Sequence, residues 1–241
     1  MHFCEYIKIY KDMAKILIIP DVHGRTFWRY ATEHTDEFDK IVFLGDYLDP
    51  YPHENIGFNE AIFNFEDIIE FKQNNEEKVI LLLGNHDLHY YDLNFMDCSR
   101  LNYKYRDRMH MMFKEFKDYF QLVYEYDKYL FSHAGVYDLW LKDHELTVET
   151  LKDPKFLETN IEDLEDLSGL RGGYKAVGSC VWADIRESQW YNLENSHYHI
   201  VGHTQLTKDP YITDDVACLD CRQPFMLNTD TGNIISVYEI N

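Results

Sequence analysis

Asp21, His23, Asp46, Asn85, His133 and His203 each stand just after a short apolar run, and side chains of these types can hold divalent cations together. Residues 15–20 lead into Asp21 and His23, residues 40–45 into Asp46 and Asp49, and residues 78–84 into Asn85, His86 and Asp87. Residues 128–132 lead into His133, and residues 199–202 into His203. A lone Asp or His in such a place is usually a loop cap or a surface group. Six of them, with glycines at 24, 45, 84, 135 and 202 keeping the loops tight, make coincidence a poor explanation. Asp21 and His23 are two apart, so on an extended strand end they point to one face and one metal can take both. Asp46 is a hard carboxylate able to bridge two cations. Carboxylate, amide oxygen and imidazole without thiolate suit manganese, iron or zinc, and the residue types do not choose among them.

The elements that must position these groups follow from the runs themselves. Short continuous apolar stretches bounded by turn residues read as buried strands. In open α/β sheets, ligands bind in the crevice outside the carboxyl ends of the strands. Residues 57–74 and 100–120 carry apolar side chains at near-helical spacing. The Met and aromatic stripe of the second reads as core packing. Strands alternating with helices give an α/β first half. Further strands are expected at 121–126, 129–132, 179–183, 198–201, 216–219 and 233–239. Residues 136–178 read as irregular helix, a candidate cap or insertion. With no linker and no internal repeat, residues 1–241 are expected to form a single domain.

Composition narrows the partners. The chain has 23 Lys+Arg against 43 Asp+Glu, a formal charge of −20. Proteins that track a nucleic-acid backbone carry basic patches, so long nucleic acid is disfavoured as a partner. A small anionic substrate is still permitted, because bound cations dominate the local field. The acidic run at 162–166 reads as solvated surface. Five cysteines, odd in number and scattered, argue against a disulfide framework and for a reducing cytoplasm. No run of eighteen apolar residues and no signal-peptide pattern is present, and no membrane role is expected. Cys218 and Cys221 form a lone C-x-x-C, a weak sign of redox or zinc chemistry. Translation could begin at Met1 or Met13.

Five blocks together resemble the ordered signature of calcineurin-like metallophosphoesterases: Asp21-Val-His23-Gly24, Gly45-Asp46-Tyr-Leu-Asp49, Gly84-Asn85-His86-Asp87, Ser132-His133-Ala-Gly135 and Gly202-His203-Thr204. Gln205, in place of the second His of a G-H-x-H block, and Val181-Trp182-Ala-Asp184 look most like the branch of protein Ser/Thr phosphatases and symmetrical diadenosine tetraphosphate hydrolases. The resemblance implies an α/β (α+β) four-layer αββα sandwich, two mixed β-sheets flanked by helices; pattern alone gives only α/β. It implies two divalent metal ions, with Asp21 and His23 on the first, Asp46 bridging, and Asn85, His133 and His203 on the second. It further implies His86 as proton donor to the leaving group, Asp49 as its orienting carboxylate, and Asn85 beside the substrate phosphate. The reaction expected is hydrolysis of phosphomonoesters (a phosphoprotein, a nucleotide or a phosphorylated metabolite) by in-line attack of metal-bound hydroxide. Two metals about 3.5–4 Å apart suit that displacement.

Taken alone, His86 could instead be a ligand or a structural loop residue, and Asp49 a cap before Pro50. Two departures from the branch matter. Pro50-Tyr51 stands where it carries Arg-Gly, whose Arg helps bind phosphate, and Asp87 stands where protein phosphatases usually carry Glu. The phosphate clamp must then come from elsewhere: Arg186 is the first candidate, followed by Arg100 and Arg171. A phosphodiesterase or nuclease of the same fold is the alternative, disfavoured by the acidic charge and by Gln205. A non-catalytic scaffold is the other, disfavoured because every ligand position and His86 are retained.

Overall fold

Alternation along the apolar runs sorts the side chains into layers. Ile16 and Ile18 face a core shared with Val42, Phe131, Ile200, Ala217 and Leu227, whereas Leu17 and Ile19 face a second core with Phe43, Ile62, Phe65 and Ile68. Successive strand residues point to opposite faces, so each buried strand supplies both layers. The computed structural model describes residues 14–239; Met1 and Met13, the two candidate starts, lie outside them.

The strands are β1 (Lys15–Ile19), β2 (Lys40–Phe43), β3 (Val79–Leu82), β4 (Phe120–Gln121), β5 (Val123–Tyr126) and β6 (Tyr129–Ser132). They continue with β7 (Tyr198–Val201), β8 (Tyr211–Ile212), β9 (Val216–Cys218), β10 (Phe225–Asn228) and β11 (Ile234–Ser236). The α-helices are α1 (Tyr30–Glu33), α2 (Phe58–Asn74), α3 (Asn85–Tyr91), α4 (Arg106–Glu115), α5 (Asp138–Asp143), α6 (Val148–Lys152) and α7 (Phe156–Thr159). One sheet runs β11-β10-β1-β2-β3-β4, the other β5-β6-β7-β9-β8. Both are mixed: β1, β2, β3 and β4 are parallel with β10 antiparallel at β1, while β6, β7 and β9 are parallel with β5 and β8 antiparallel at the edges. The inner core lies between the sheets and helices cover the outer faces, the expected αββα arrangement. The parallel strands of each sheet deliver their carboxyl ends to the candidate ligands.

Several expected elements differ. The run 121–126 belongs to both sheets, because the chain crosses between them at the buried Leu122. Residues 179–183 form a turn instead of a strand: the Trp182 and Ala183 amides both donate to the Ser179 carbonyl, at 3.0 and 2.8 Å. That run is apolar because it is buried, and burial alone does not distinguish a strand from a coil. The helix expected from residue 100 starts at Arg106, since Arg100 holds a left-handed backbone (φ 70°) that a helix cannot contain. Strand β10, just past Pro224, and the exposed two-residue β8 have no clear sequence signal. Residues 136–178 contain α5 to α7 and short 3₁₀ turns.

No helix among the described residues is long and apolar enough to cross a membrane. Cys98, Cys180, Cys218 and Cys221 are buried free thiols. Burial raises both thiols of the C-x-x-C, that of Cys221 to about 12, which leaves little thiolate for metal or redox chemistry.

His199 on β7 gives this core a pH dependence. Its Nε2–H donates to the Glu194 carbonyl at 2.8 Å, Nδ1 has no partner, and burial lowers its pKa below the ordinary 6.5. The folded state therefore holds the neutral ring. Its contribution to stability is complete above pH 6.5 and is lost as pH falls toward the depressed value, because the unfolded chain takes the proton first. Thermal scans of chelated protein should show Tm falling from pH 7.5 to 5, and His199→Gln should flatten that slope.

Candidate metal centre

Four loops converge on one buried carboxylate, Asp46. From β1 the chain turns at Asp21 and His23, and the His23 and Gly24 amides donate to the carbonyls of Asp46 and Tyr47 at 2.6 and 3.0 Å. From β2 it turns at Gly45 and Asp46, and from β3 it enters α3 through Gly84. The two glycines pack backbone to backbone: a Cβ on Gly45 would lie 2.4 Å from the Gly84 nitrogen. From β7, the His203 amide donates to Asp21 Oδ1 at 2.9 Å, joining the second sheet to the first.

Hydrogen bonding fixes which atoms face inward. His23 Nδ1–H donates to the Leu48 carbonyl at 2.9 Å and His133 Nδ1–H to the Leu44 carbonyl at 2.7 Å. Both rings therefore present an Nε2 lone pair to the centre, as backbone carbonyls commonly arrange for metal-ligating histidines. Asp46 Oδ2 lies 3.4 Å from His23 Nε2 and 3.6 Å from His133 Nε2, between the two rings. On the far side, His133 Nε2 is 3.1 Å from Asn85 Oδ1 and 3.0 Å from His203 Nδ1. The Asn85 amide nitrogen is turned away to Cys98 Sγ at 3.8 Å.

These contacts set acceptor against acceptor, an arrangement that a cation reconciles. Two donors each about 2.1 Å from one metal lie about 3.0–3.4 Å apart at octahedral or tetrahedral angles, close to the spacings seen. Asp21, His23 and Asp46 form one cluster, and Asp46, His133 and His203 a second, each with ligand atoms within 4.8 Å of one another. Burial lowers the His23 pKa to about 3 and holds His203 well below its ordinary value, so both rings are neutral and able to ligate. Burial, reinforced by the neighbouring Asp46, raises Asp21. For Asp46 the surrounding imidazoles, His133 first, outweigh the burial penalty and hold the carboxyl below its usual range. The donor set fits two divalent ions sharing Asp46.

His86 lies beside this centre, its ring edge-to-face with His23 at 5.2 Å between centroids. Its Nδ1 is 2.9 Å from Asp49 Oδ2. The same carboxylate receives the Tyr90 hydroxyl at 2.6 Å and lies 2.9 Å from His89 Nε2. Although burial opposes it, these histidine contacts keep Asp49 below the ordinary carboxylate range.

The three arginine candidates separate. Arg186 is more than half exposed and forks onto Asp184, at 2.7 and 2.8 Å. Arg171 pairs with Asp184 at 3.0 Å and donates to Thr204 Oγ1 at 2.7 Å. Arg100 lies 3.2 Å from His86 Nε2.

Sequence reasoning passed over Asp220, His89 and Tyr90. Asp220 follows β9 just as the other ligands follow their strands, and the run 216–219 carries the same signal. It is buried, its Oδ1 lacks a partner, and burial together with Asp21 raises its pKa. His89 follows His86 at i+3, a neighbouring position on a helix.

Gly84 tests the tightness of the site. An added Cβ would lie 2.2 Å from Asp46 Oδ1 and 2.7 Å from His133 Cε1. Gly84→Ala should destabilise the protein by about 1–3 kcal/mol in denaturant titrations, the usual cost of overpacking.

Comparison with known proteins agrees with this geometry. No curated protein matches the chain. Among solved structures, a cold-active protein-tyrosine phosphatase of a Shewanella species superposes with a TM-score of 0.59 at 15% identity, over 94% of this chain and 81% of that one. A protein serine/threonine phosphatase from Saccharomyces cerevisiae superposes with a TM-score of 0.55 at 15% identity, over 92% of this chain and 78% of that one. At such identities the likeness speaks for the fold. The calcineurin-like phosphoesterase family matches residues 14–205, which hold all five metal-type sequence blocks, and the chain belongs to that family.

Proposed function

We propose that this protein hydrolyses phosphomonoesters with two divalent metal ions. The observation that carries the reading is Asp46 Oδ2, set between His23 Nε2 and His133 Nε2 where one carboxylate can serve two ions. Asp21 and His23 would hold the first ion, and Asn85, His133 and His203 the second. Bound there, the ions supply Lewis acidity to the phosphoryl oxygens and an activated water. The chain's own groups do the rest. Asp49 orients the His86 ring through Nδ1, and Nε2, which borders Arg100, carries the proton that His86 would deliver to the leaving group. Asn85 Oδ1 would serve the second ion, and its position beside His86 supports a role next to the phosphoryl group.

The phosphorylated substrate is a small molecule, a nucleotide or a phosphoprotein; the phosphatases of similar fold and the single-family match support that class. The ions are manganese, iron or zinc by donor type. Residues 136–178 are the candidate cap of a single domain.

Chelated protein should regain hydrolysis of p-nitrophenyl phosphate when one of these metals is added back, with little on the bis ester. Preference for the bis ester would replace this reading with a phosphodiesterase, and inactivity with two ions bound would favour a scaffold. Two variants separate the roles. His86→Ala should keep both ions by elemental analysis and lose about 10²–10⁴ in turnover. Asp46→Ala should lose metal together with activity; two ions retained would rule out its bridging role.

A further inference from the structure

Arg100 is the exception among the arginines of this acidic chain. The sequence holds eight, and seven of them pair with a carboxylate: Arg25 and Arg222 with Glu54, Arg29 with Asp67, Arg106 with Asp97, Arg108 with Glu66, and Arg171 and Arg186 with Asp184. Arg100 has no carboxylate within ion-pair distance among the described residues, although the chain carries 43 Asp+Glu.

It is nevertheless held in place. Nε donates to the Asp49 carbonyl at 3.0 Å, and one Nη reaches His86 Nε2 at 3.2 Å. The guanidinium lies 3.9 Å from the centroid of the Tyr51 ring, close cation–π contact. Tyr51 is itself braced, edge-to-face with His23 at 5.0 Å and approached by Arg25 at 5.3 Å. The backbone of Arg100 sits in the left-handed region at φ 70°, which a non-glycine residue adopts at a cost. Of five guanidinium N–H groups, the Nε–H is engaged by the Asp49 carbonyl and one Nη borders His86 Nε2, so at least three remain for a ligand. A fixed, partly buried fork with free donors, next to the ring proposed to protonate the leaving oxygen, is complementary to a phosphoryl group.

We propose that Arg100, seated on the Tyr51 ring, binds the terminal phosphoryl oxygens of the substrate, the task for which Arg186 was the first candidate by sequence. Arg186 forks onto Asp184 and is not free for it. Arg100 is a substrate-binding residue and Tyr51 a positioning residue. The pair favours the dianion of a monoester over a diester, which offers fewer free oxygens and less charge. This inference rests on the phosphoesterase reading of the same site.

The test measures anion binding apart from turnover. Orthophosphate would be titrated calorimetrically into metal-loaded wild-type protein and into Arg100→Ala, Arg100→Lys, Tyr51→Phe and Tyr51→Leu, each checked for metal content. Arg100→Ala should retain both ions and bind orthophosphate about 10–100-fold more weakly, with KM for p-nitrophenyl phosphate raised. Arg100→Lys should recover part of the affinity, since it restores charge without the fork. Tyr51→Phe, which keeps the ring, should bind like wild type, whereas Tyr51→Leu should weaken orthophosphate and leave metal content intact. Orthophosphate affinity and KM within about twofold of wild type in Arg100→Ala would overturn the inference while leaving the hydrolase reading in place. Loss of metal in both Arg100 variants would overturn it too, by making the residue structural. Orthophosphate binding that depends on Arg100 in a protein that cleaves no phosphoester would uphold the inference as an anion site and sink the hydrolase reading instead.

Discussion

The carboxylate of Asp87 accepts backbone N–H bonds from Gly84 at 2.8 Å, Asp46 at 2.7 Å and Tyr47 at 2.9 Å, and the geometry of the centre depends on that one junction. It ties the end of β2 to the end of β3, so Asp46 and Asn85 cannot move independently. It also caps α3, whose first turn carries Asn85 and His86. The His86 amide then closes the junction by donating to Asp46 Oδ1 at 2.9 Å, which leaves Oδ2 as the inward atom. A Glu would add one methylene to a side chain that here has no exposed surface. The short residue therefore goes with the close approach of Gly45 and Gly84, and either glycine would resist a side chain for the same reason.

Such close loops require unusual backbone. His23, Asp46, Asp49 and His203 all lie in the left-handed region, with φ between 45° and 61°. Asp and His tolerate that region better than most residues, yet each such position still costs about 1–3 kcal/mol unless its surroundings fix it. Here the fixing bonds are visible. His23 is held by the Asp46 carbonyl, His203 by Asp21 Oδ1, and Asp46 by Asp87. Apart from Asp87, the residues that pin one another are the same residues that offer candidate ligand atoms. Metal affinity and loop conformation are thus a single cooperative property, and a ligand substitution should disturb both.

That coupling also explains what the sequence disclosed. The runs into Asp21, Asp46, Asn85, His133 and His203 were legible because a buried strand must be apolar and a ligand at its end must be polar, a contrast readable within seven residues. The same contrast holds at Asp220 after the apolar run 216–219, where Cys218 and Cys221 supply thiols that the fold buries. Where pattern failed, the cause was non-local. Whether residues 121–126 serve one sheet or two depends on a crossover, and the run 179–183 is apolar because of what packs over it. The arginine proposed to bind phosphate could not be ranked from sequence either. Proximity of Arg186 to the Trp182 block says nothing about its fork closing on Asp184, and Arg100 reaches His86 only through the turn made by residues 92–105.

Charge gives the final constraint on what such a centre can take. The formal −20 is spread over a surface on which seven of the eight arginines are already paired with carboxylates, and screening confines each exposed charge to about 8–10 Å at ordinary salt. A long polyanion would lie across that acidic surface and meet net repulsion along its length, since 23 Lys+Arg stand against 43 Asp+Glu. A small phosphoester meets chiefly the local field of the crevice, where metal ions held by the proposed ligand set would add to the guanidinium of Arg100, the one arginine without a carboxylate partner among the described residues. On the proposed reading, the same distribution that repels a nucleic-acid backbone therefore leaves this crevice attractive to a single phosphoryl group. Selectivity for small or locally presented phosphoesters would then be built into the charge pattern before any side chain of the proposed cap contributes.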